Sequence, residues 1–222
     1  MFWTLSLAHL IGDYPLQTDS LVRAKRHWWG LTLHVAIHLA LMLLLAGRDS
    51  LIVWPQLLAL AAAHFAIDAL KNYEARRWPH LVVTSYTIDQ ILHFLSIILV
   101  ALWIEADYGI HRDQNWLIYA AAYLSATHVW FITERVVAYR QPRYQLEVET
   151  HRWSRIFARG LTLSVYLFLG HLLLAPEVLM VSFAFALRLP PPYRCTQFRR
   201  RMLVQDLLGP LVLALLVFWF AF

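Results

Sequence analysis

The sequence predicts an all-α fold: a polytopic integral membrane helical bundle of about six to eight membrane segments, with the first four helices arranged as two duplicated hairpins. Three observations predict it. The chain of 222 residues is 60% hydrophobic and only 15% charged, less charge than a soluble domain of this length carries. Apolar runs of the length that crosses a bilayer, about 17–25 residues, recur along it. Within those runs, ionisable residues repeat at a fixed offset. Lipid admits only helices or closed barrels, and the runs are too long and too uniformly apolar for barrel strands.

The first helix is expected over about Phe2–Leu16, followed by a basic loop with Arg23, Lys25 and Arg26. The second runs from about Leu31 to Ala46, and Gly47-Arg48-Asp49-Ser50 turns the chain into the third, about Leu51–Lys71. A second basic loop holds Arg76 and Arg77, and the fourth helix covers about Thr87–Ile104. An acidic loop, Glu105 to Asp113, leads to the fifth, about Trp116–Ala138. Tyr139–Arg159 reads as a long basic connection, amphipathic from Leu146 onward, suited either to the membrane surface or to a solvated linker. Leu161–Leu187, interrupted at Ala175-Pro176-Glu177, reads as a re-entrant hairpin, with a single kinked span as the alternative. The last helix is about Leu203–Phe222. The chain thus divides into a four-helix membrane domain, 1–105, and additional helices with basic loops, 106–222.

Charge sets the expected orientation. Of the 19 Lys and Arg residues, twelve fall in the segments 19–30, 71–84 and 135–159, while Arg48 and Arg112 fall on the opposite side. The positive-inside rule places the twelve in the cytoplasm and the N-terminus outside. Arg188, Arg194, Arg199, Arg200 and Arg201 join them if Leu161–Leu187 enters and returns. The net charge of +5 therefore reports topology, and no nucleic-acid partner is expected. The N-terminus lacks the positive region and small-residue site of a cleaved signal peptide. Cys195 is the single cysteine, which excludes an intrachain disulfide or a cysteine-rich metal site and reads as a free thiol.

Four helices each carry a polar pair four residues apart: His9 and Asp13, His34 and His38, His64 and Asp68, Asp89 and His93. Residues at i and i+4 share one helix face. The set repeats at an offset of 55 residues, taking 9, 13, 34 and 38 to 64, 68, 89 and 93, so we read a duplicated helical hairpin. In the expected topology all eight converge in one layer nearer the cytoplasm. Each aspartate costs about 2.5–3.5 kcal/mol in a membrane helix. A divalent cation held by imidazole and carboxylate offsets that cost. For any single pair, an interhelical His–Asp hydrogen bond is the plainer reading; a proton relay is another for the whole set. Around this set, Gln17 and Lys71 are expected to contact substrate or to snorkel. His128 and Glu134 read as helix packing and a helix end, with an added ligand or base as the alternative. Asp206 reads as a helix-start carboxylate, and His171 as packing.

The run Ala8-His9-Leu10-Ile11-Gly12-Asp13-Tyr14-Pro15-Leu16-Gln17, with His34-x3-His38, His64-Phe65-Ala66-Ile67-Asp68 plus Lys71, and Asp89-Gln90-x2-His93, resembles a bacterial membrane family known as domain of unknown function 3307, over about residues 1–105. The resemblance implies a multi-span protein of the bacterial inner membrane and no established activity. The helix pairs also look like those of bacterial membrane-bound metal-dependent hydrolases.

The expected function is a metal-dependent hydrolase acting on a lipid-linked or phosphoester substrate. It would use one or two divalent ions, Zn first and Mn or Fe next. The expected metal ligands are His9, Asp13, His34, His38, His64, Asp68, Asp89 and His93, with Asp13 or Asp89 as bridging ligand or catalytic base. The alternatives are a metal-ion or proton transporter, a two-iron membrane oxidoreductase, and a non-catalytic scaffold with a structural metal. The expected partners are the bilayer and such a substrate, and the sequence points to no particular protein partner.

Overall fold

The computed structural model describes residues 1–110, 115–173 and 198–221. Among the described residues every regular element is helical: α1 (Phe2–Asp13), α2 (Asp19–Ala24), α3 (Trp28–Ala46), α4 (Ser50–Arg77), α5 (Val82–Tyr108), α6 (Asn115–Leu124), α7 (Trp130–Val137), α8 (Pro142–Thr150), α9 (Arg152–Leu173) and α10 (Arg199–Ala221). They form two compact units, Met1–Leu117 and Ile118–Phe222.

In the first unit α1 packs on α3 and α5, α3 on α4, and α4 on α5, which closes a ring of four helices. Leu5, Ala8, Met42, Leu57, Ile97 and Ile104 are among the side chains of its apolar core. The α3–α4 reversal turns on Gly47 at φ 58°, a left-handed value that a side chain disfavours. Much of the exterior is apolar as well: Leu51 is 81% exposed and Leu44 75% exposed. Apolar residues outside and eight ionisable ones inside invert the pattern of a water-soluble domain.

The predicted basic loop after α1 contains a short helix, α2, because Thr18 caps it by accepting the Leu21 backbone N–H at 3.3 Å. The chain then turns inward, and Lys25 is buried.

Three helical stretches are long and apolar enough to cross a membrane: Trp28–Arg77, Val82–Tyr108 and Arg199–Phe220. The first contains two antiparallel helices, α3 and α4. The expected six to eight segments are not reached among the described residues. The helix α1 has only 12 residues, a rise of about 18 Å against a hydrocarbon core of about 30 Å. The expected hairpin at Leu161–Leu187 is also not seen in its first part, since 161–173 continues a helix that starts at Arg152. Residues 174–187, with the Pro176 interruption, lie outside the described residues, as do Cys195, Arg112, Asp113, Arg188 and Arg194.

In the second unit the predicted fifth helix is continuous but widens into a π-turn at Ser125–Val129 before α7. The predicted connection Tyr139–Arg159 is instead mostly helical, forming α8 and the start of α9. Its amphipathicity runs inside out: Phe157 is 73% exposed while Arg155 and Arg159 are fully buried. Arg155 grips both Asp206 oxygens, with Nε at 2.9 Å from Oδ2 and Nη2 at 2.7 Å from Oδ1. Its Nη1 reaches Glu134 at 2.9 Å. Arg159 bonds Asp206 and Glu134, each at 2.6 Å. Asp206 therefore serves as an ion-pair partner rather than a helix-start carboxylate; α10 begins seven residues earlier, at Arg199. Glu134 likewise serves the ionic cluster and accepts a hydrogen bond from Tyr144. Burial and that carboxylate push the Tyr144 hydroxyl above its ordinary pKa, which keeps it a donor.

Of the twelve cations counted for topology, Lys25, Lys71, Arg135, Arg155 and Arg159 are ion-paired within the protein.

Candidate metal centre

The i, i+4 pairs on α1, α3, α4 and α5 all face the inside of the four-helix ring, and all eight side chains are buried. Asp13 is the hub. Its Oδ1 lies 3.1 Å from His34 Nε2, 3.2 Å from His38 Nε2 and 3.9 Å from His64 Nε2. The His34 and His64 Nε2 atoms are 3.2 Å apart. These four donors lie within 4.8 Å of one another. Two further groups overlap the first: His9, His64 and His93, and Asp68, Asp89 and His93. The structure therefore brings together all eight residues expected from the sequence.

Close approach needs a small residue beside the hub. A Cβ on Gly12 would overlap the His38 ring, so glycine there lets α3 seat its imidazole against Asp13. Around the hub the rings crowd: the His38 and His64 centroids are 3.9 Å apart, and those of His64 and His93 4.2 Å. His9 Nε2 and both ring nitrogens of His93 are buried without a hydrogen-bond partner. A buried polar atom left so costs about 1–3 kcal/mol, and a metal ligand is one way to satisfy it. A small cavity of ≈ 10 Å³ touches His9, His38, His64 and His93, about the room one water requires.

Two lysines complete the charge. Lys25 Nζ lies 2.8 Å from Asp68 Oδ2 and donates to Gln17 Oε1 at 2.7 Å. Lys71 Nζ lies 2.5 Å from Asp89 Oδ2, which also accepts from Gln90 at 3.0 Å. Gln17 holds the backbone oxygen of Asp13 at 2.9 Å, and Asn72 holds that of Lys25 at 2.8 Å. Gln17 and Asn72 obey the same 55-residue offset as the ligands, a signal that could have marked them. Tyr14 links α1 to α5 through Tyr86 at 3.0 Å and Gln90 at 2.9 Å.

A sequence profile described as a protein of unknown function (DUF3307) matches residues 1–118. The chain belongs to this family. No curated protein and no solved structure matches it. All eight clustered residues, Gly12 and both lysines lie within the DUF3307 region. The Glu134–Arg155–Arg159–Asp206 cluster lies beyond it. Of the outlying residues, His128 pairs locally with Thr127 at 3.0 Å and His171 with Tyr119 at 2.7 Å.

Proposed function

We propose that this DUF3307 protein is a multi-pass protein of the bacterial inner membrane, N-terminus outside, and that Asp13, His34, His38 and His64 hold one divalent cation, zinc first. The spacing of their donor atoms carries the reading. Ligands 2.0–2.1 Å from a tetrahedral ion stand about 3.3–3.4 Å apart. Three of the hub distances, 3.1, 3.2 and 3.2 Å, come close to that edge.

Charge favours one ion over two. Three aspartates and two lysines leave a single negative charge if the imidazoles are neutral. One divalent cation turns this into one positive charge, and two ions into three, in a site with little water to compensate. Lys25 and Lys71 stand where a second ion would draw on Asp68 and Asp89.

The activity that fits best is hydrolysis of a lipid-linked or phosphoester substrate. A zinc ion there would supply Lewis acidity, and an acidified water once one of the four ligands gives up its position. His9 and His93 line the cavity next to the ligands and would orient such a water. Asp89, held by Lys71 and 3.4 Å from His93, would serve as the base through that imidazole once the two close to hydrogen-bond contact. A second reading, a structural ion in a scaffold, is favoured by one observation: four protein donors already fill a tetrahedron.

The test is metal content of the purified chain by mass spectrometry, with His64→Ala/Asp13→Ala as the comparison, followed by phosphoesterase and esterase assays. One zinc per chain, lost in a folded variant, with metal-dependent turnover supports the hydrolase. Metal without turnover leaves the scaffold, and no metal after incubation with zinc, manganese or iron sinks both.

A further inference from the structure

A second cavity, of ≈ 270 Å³, opens beside the centre, at the end of the four-helix ring where Lys25 enters. Lys25, Arg26, Trp28, Asn72, Tyr73 and Arg76 are among its walls. Lys25 belongs to both places, since its ammonium meets Asp68 at 2.8 Å.

The lining contains no carboxylate. Lys25 is neutralised by Asp68, but the guanidiniums of Arg26 and Arg76 have no acidic partner among the described residues. The cavity is also preformed. Asn72 donates to the Lys25 carbonyl at 2.8 Å and Arg76 to the Arg26 carbonyl at 2.5 Å, which clamps the segment before α3 onto α4. Phe65 and Leu31 supply an apolar side. At the rim, Trp28 is 77% exposed and Tyr73 61% exposed. Exposed aromatic rings next to arginines mark the headgroup level of a bilayer, where basic residues attract anionic lipid. The volume lies just below the range of about 300–1,000 Å³ that takes a drug-sized ligand, which suits a headgroup with its chains left outside.

We propose that this cavity binds the phosphate of an anionic phospholipid between Arg26 and Arg76, with the acyl chains leaving over Phe65 and Leu31. This rests on the hydrolase reading for its purpose: it names an anionic phospholipid as the substrate class and places its phosphate one side chain, Lys25, away from Asp68. Guanidinium suits the task because its planar fork pairs phosphate oxygens two at a time.

The full chain in detergent is titrated with phosphatidylglycerol, with phosphatidylcholine and with inorganic phosphate. Bound lipid and bound metal are both counted by native mass spectrometry. Selective retention of phosphatidylglycerol is expected, about thirtyfold weaker in Arg26→Gln/Arg76→Gln and nearly unchanged in Arg23→Gln/Arg77→Gln, whose side chains do not line the cavity. If the double variant does not fold, Arg26→Gln alone gives the reading, at about fivefold. Equal weakening by both arginine pairs, equal binding of phosphatidylcholine, or phosphate binding as tightly as the lipid overturns the proposal. Bound metal with no lipid selectivity overturns the headgroup site alone. Selective lipid binding without metal supports the headgroup site and sinks only the hydrolytic reading.

Discussion

The Lys25 ammonium sits 2.8 Å from the Asp68 carboxylate, two buried charges brought together from the end of α2 and the middle of α4. Removing one partner of a buried pair leaves the other uncompensated, at a cost of about 3–5 kcal/mol. Lys25→Met is expected to lower the thermal midpoint strongly. Lys25→Met/Asp68→Leu is expected to recover most of the loss, because an apolar pair of similar volume often replaces a buried ion pair. Thermal unfolding of both in detergent checks this; a double variant as unstable as the single would show that the pair is not the cause.

Gly12→Ala tests the contact between α1 and α3. Its methyl would overlap the His38 ring, which must then move away from Asp13. Displacing one ligand of four is expected to reduce zinc retention by about tenfold or more while the helical content stays the same. Zinc competition against a fluorescent chelator, with circular dichroism on the same sample, reads the two effects apart.

Lysine is expected to set the number of ions. With Lys71 replaced by Met, Asp89 loses its ammonium, and the Asp68, Asp89 and His93 group becomes available to a second cation. The expected result is a rise from one metal per chain toward two. A count fixed at one in the variant would argue that geometry, not charge, limits the site.

The second unit is expected to depend on its ionic cluster. Asp206→Asn leaves Arg155 and Arg159, both fully buried, sharing one carboxylate. A loss of about 3–5 kcal/mol is expected, against about 1 kcal/mol for Tyr144→Phe, which removes one hydrogen-bonding hydroxyl. Urea titration of the two variants gives the comparison, and equal losses would place the weight on Tyr144 instead.

The helical fold and the eight clustered residues were legible because both rest on local spacing. A pair at i and i+4 faces one way whatever the rest of the chain does, so the convergence of His9 with His93 followed once four helices formed a ring. Lys25 and Lys71 were harder to place. A lysine near a membrane surface reads as a topology signal, and only the fold brings it to a carboxylate on another helix. Arg155 and Arg159 carry the same four-residue spacing as the histidines, yet they sat in a stretch that reads as a solvated connection. Their helix was obscured because its exterior, with Trp153 and Phe157, is apolar and its interior charged. The sequence likewise reads α1 as longer than it is, because Pro15 just after it falls inside the same apolar run.

Gln17 and Asn72 occupy equivalent places in the two hairpins, yet both grip the same Lys25. Two identical hairpins would carry two such lysines and look alike from either side. This chain has one, so the duplicated halves have diverged into unlike partners. A circular permutant that begins at α4 would keep every helix neighbour of the ring, but exchanging the hairpin sequences in place would send that lysine to the wrong carboxylate. The ancestral symmetry survives in the ligands and has been lost in their counter-charges, which gives the chamber a distinct front and back.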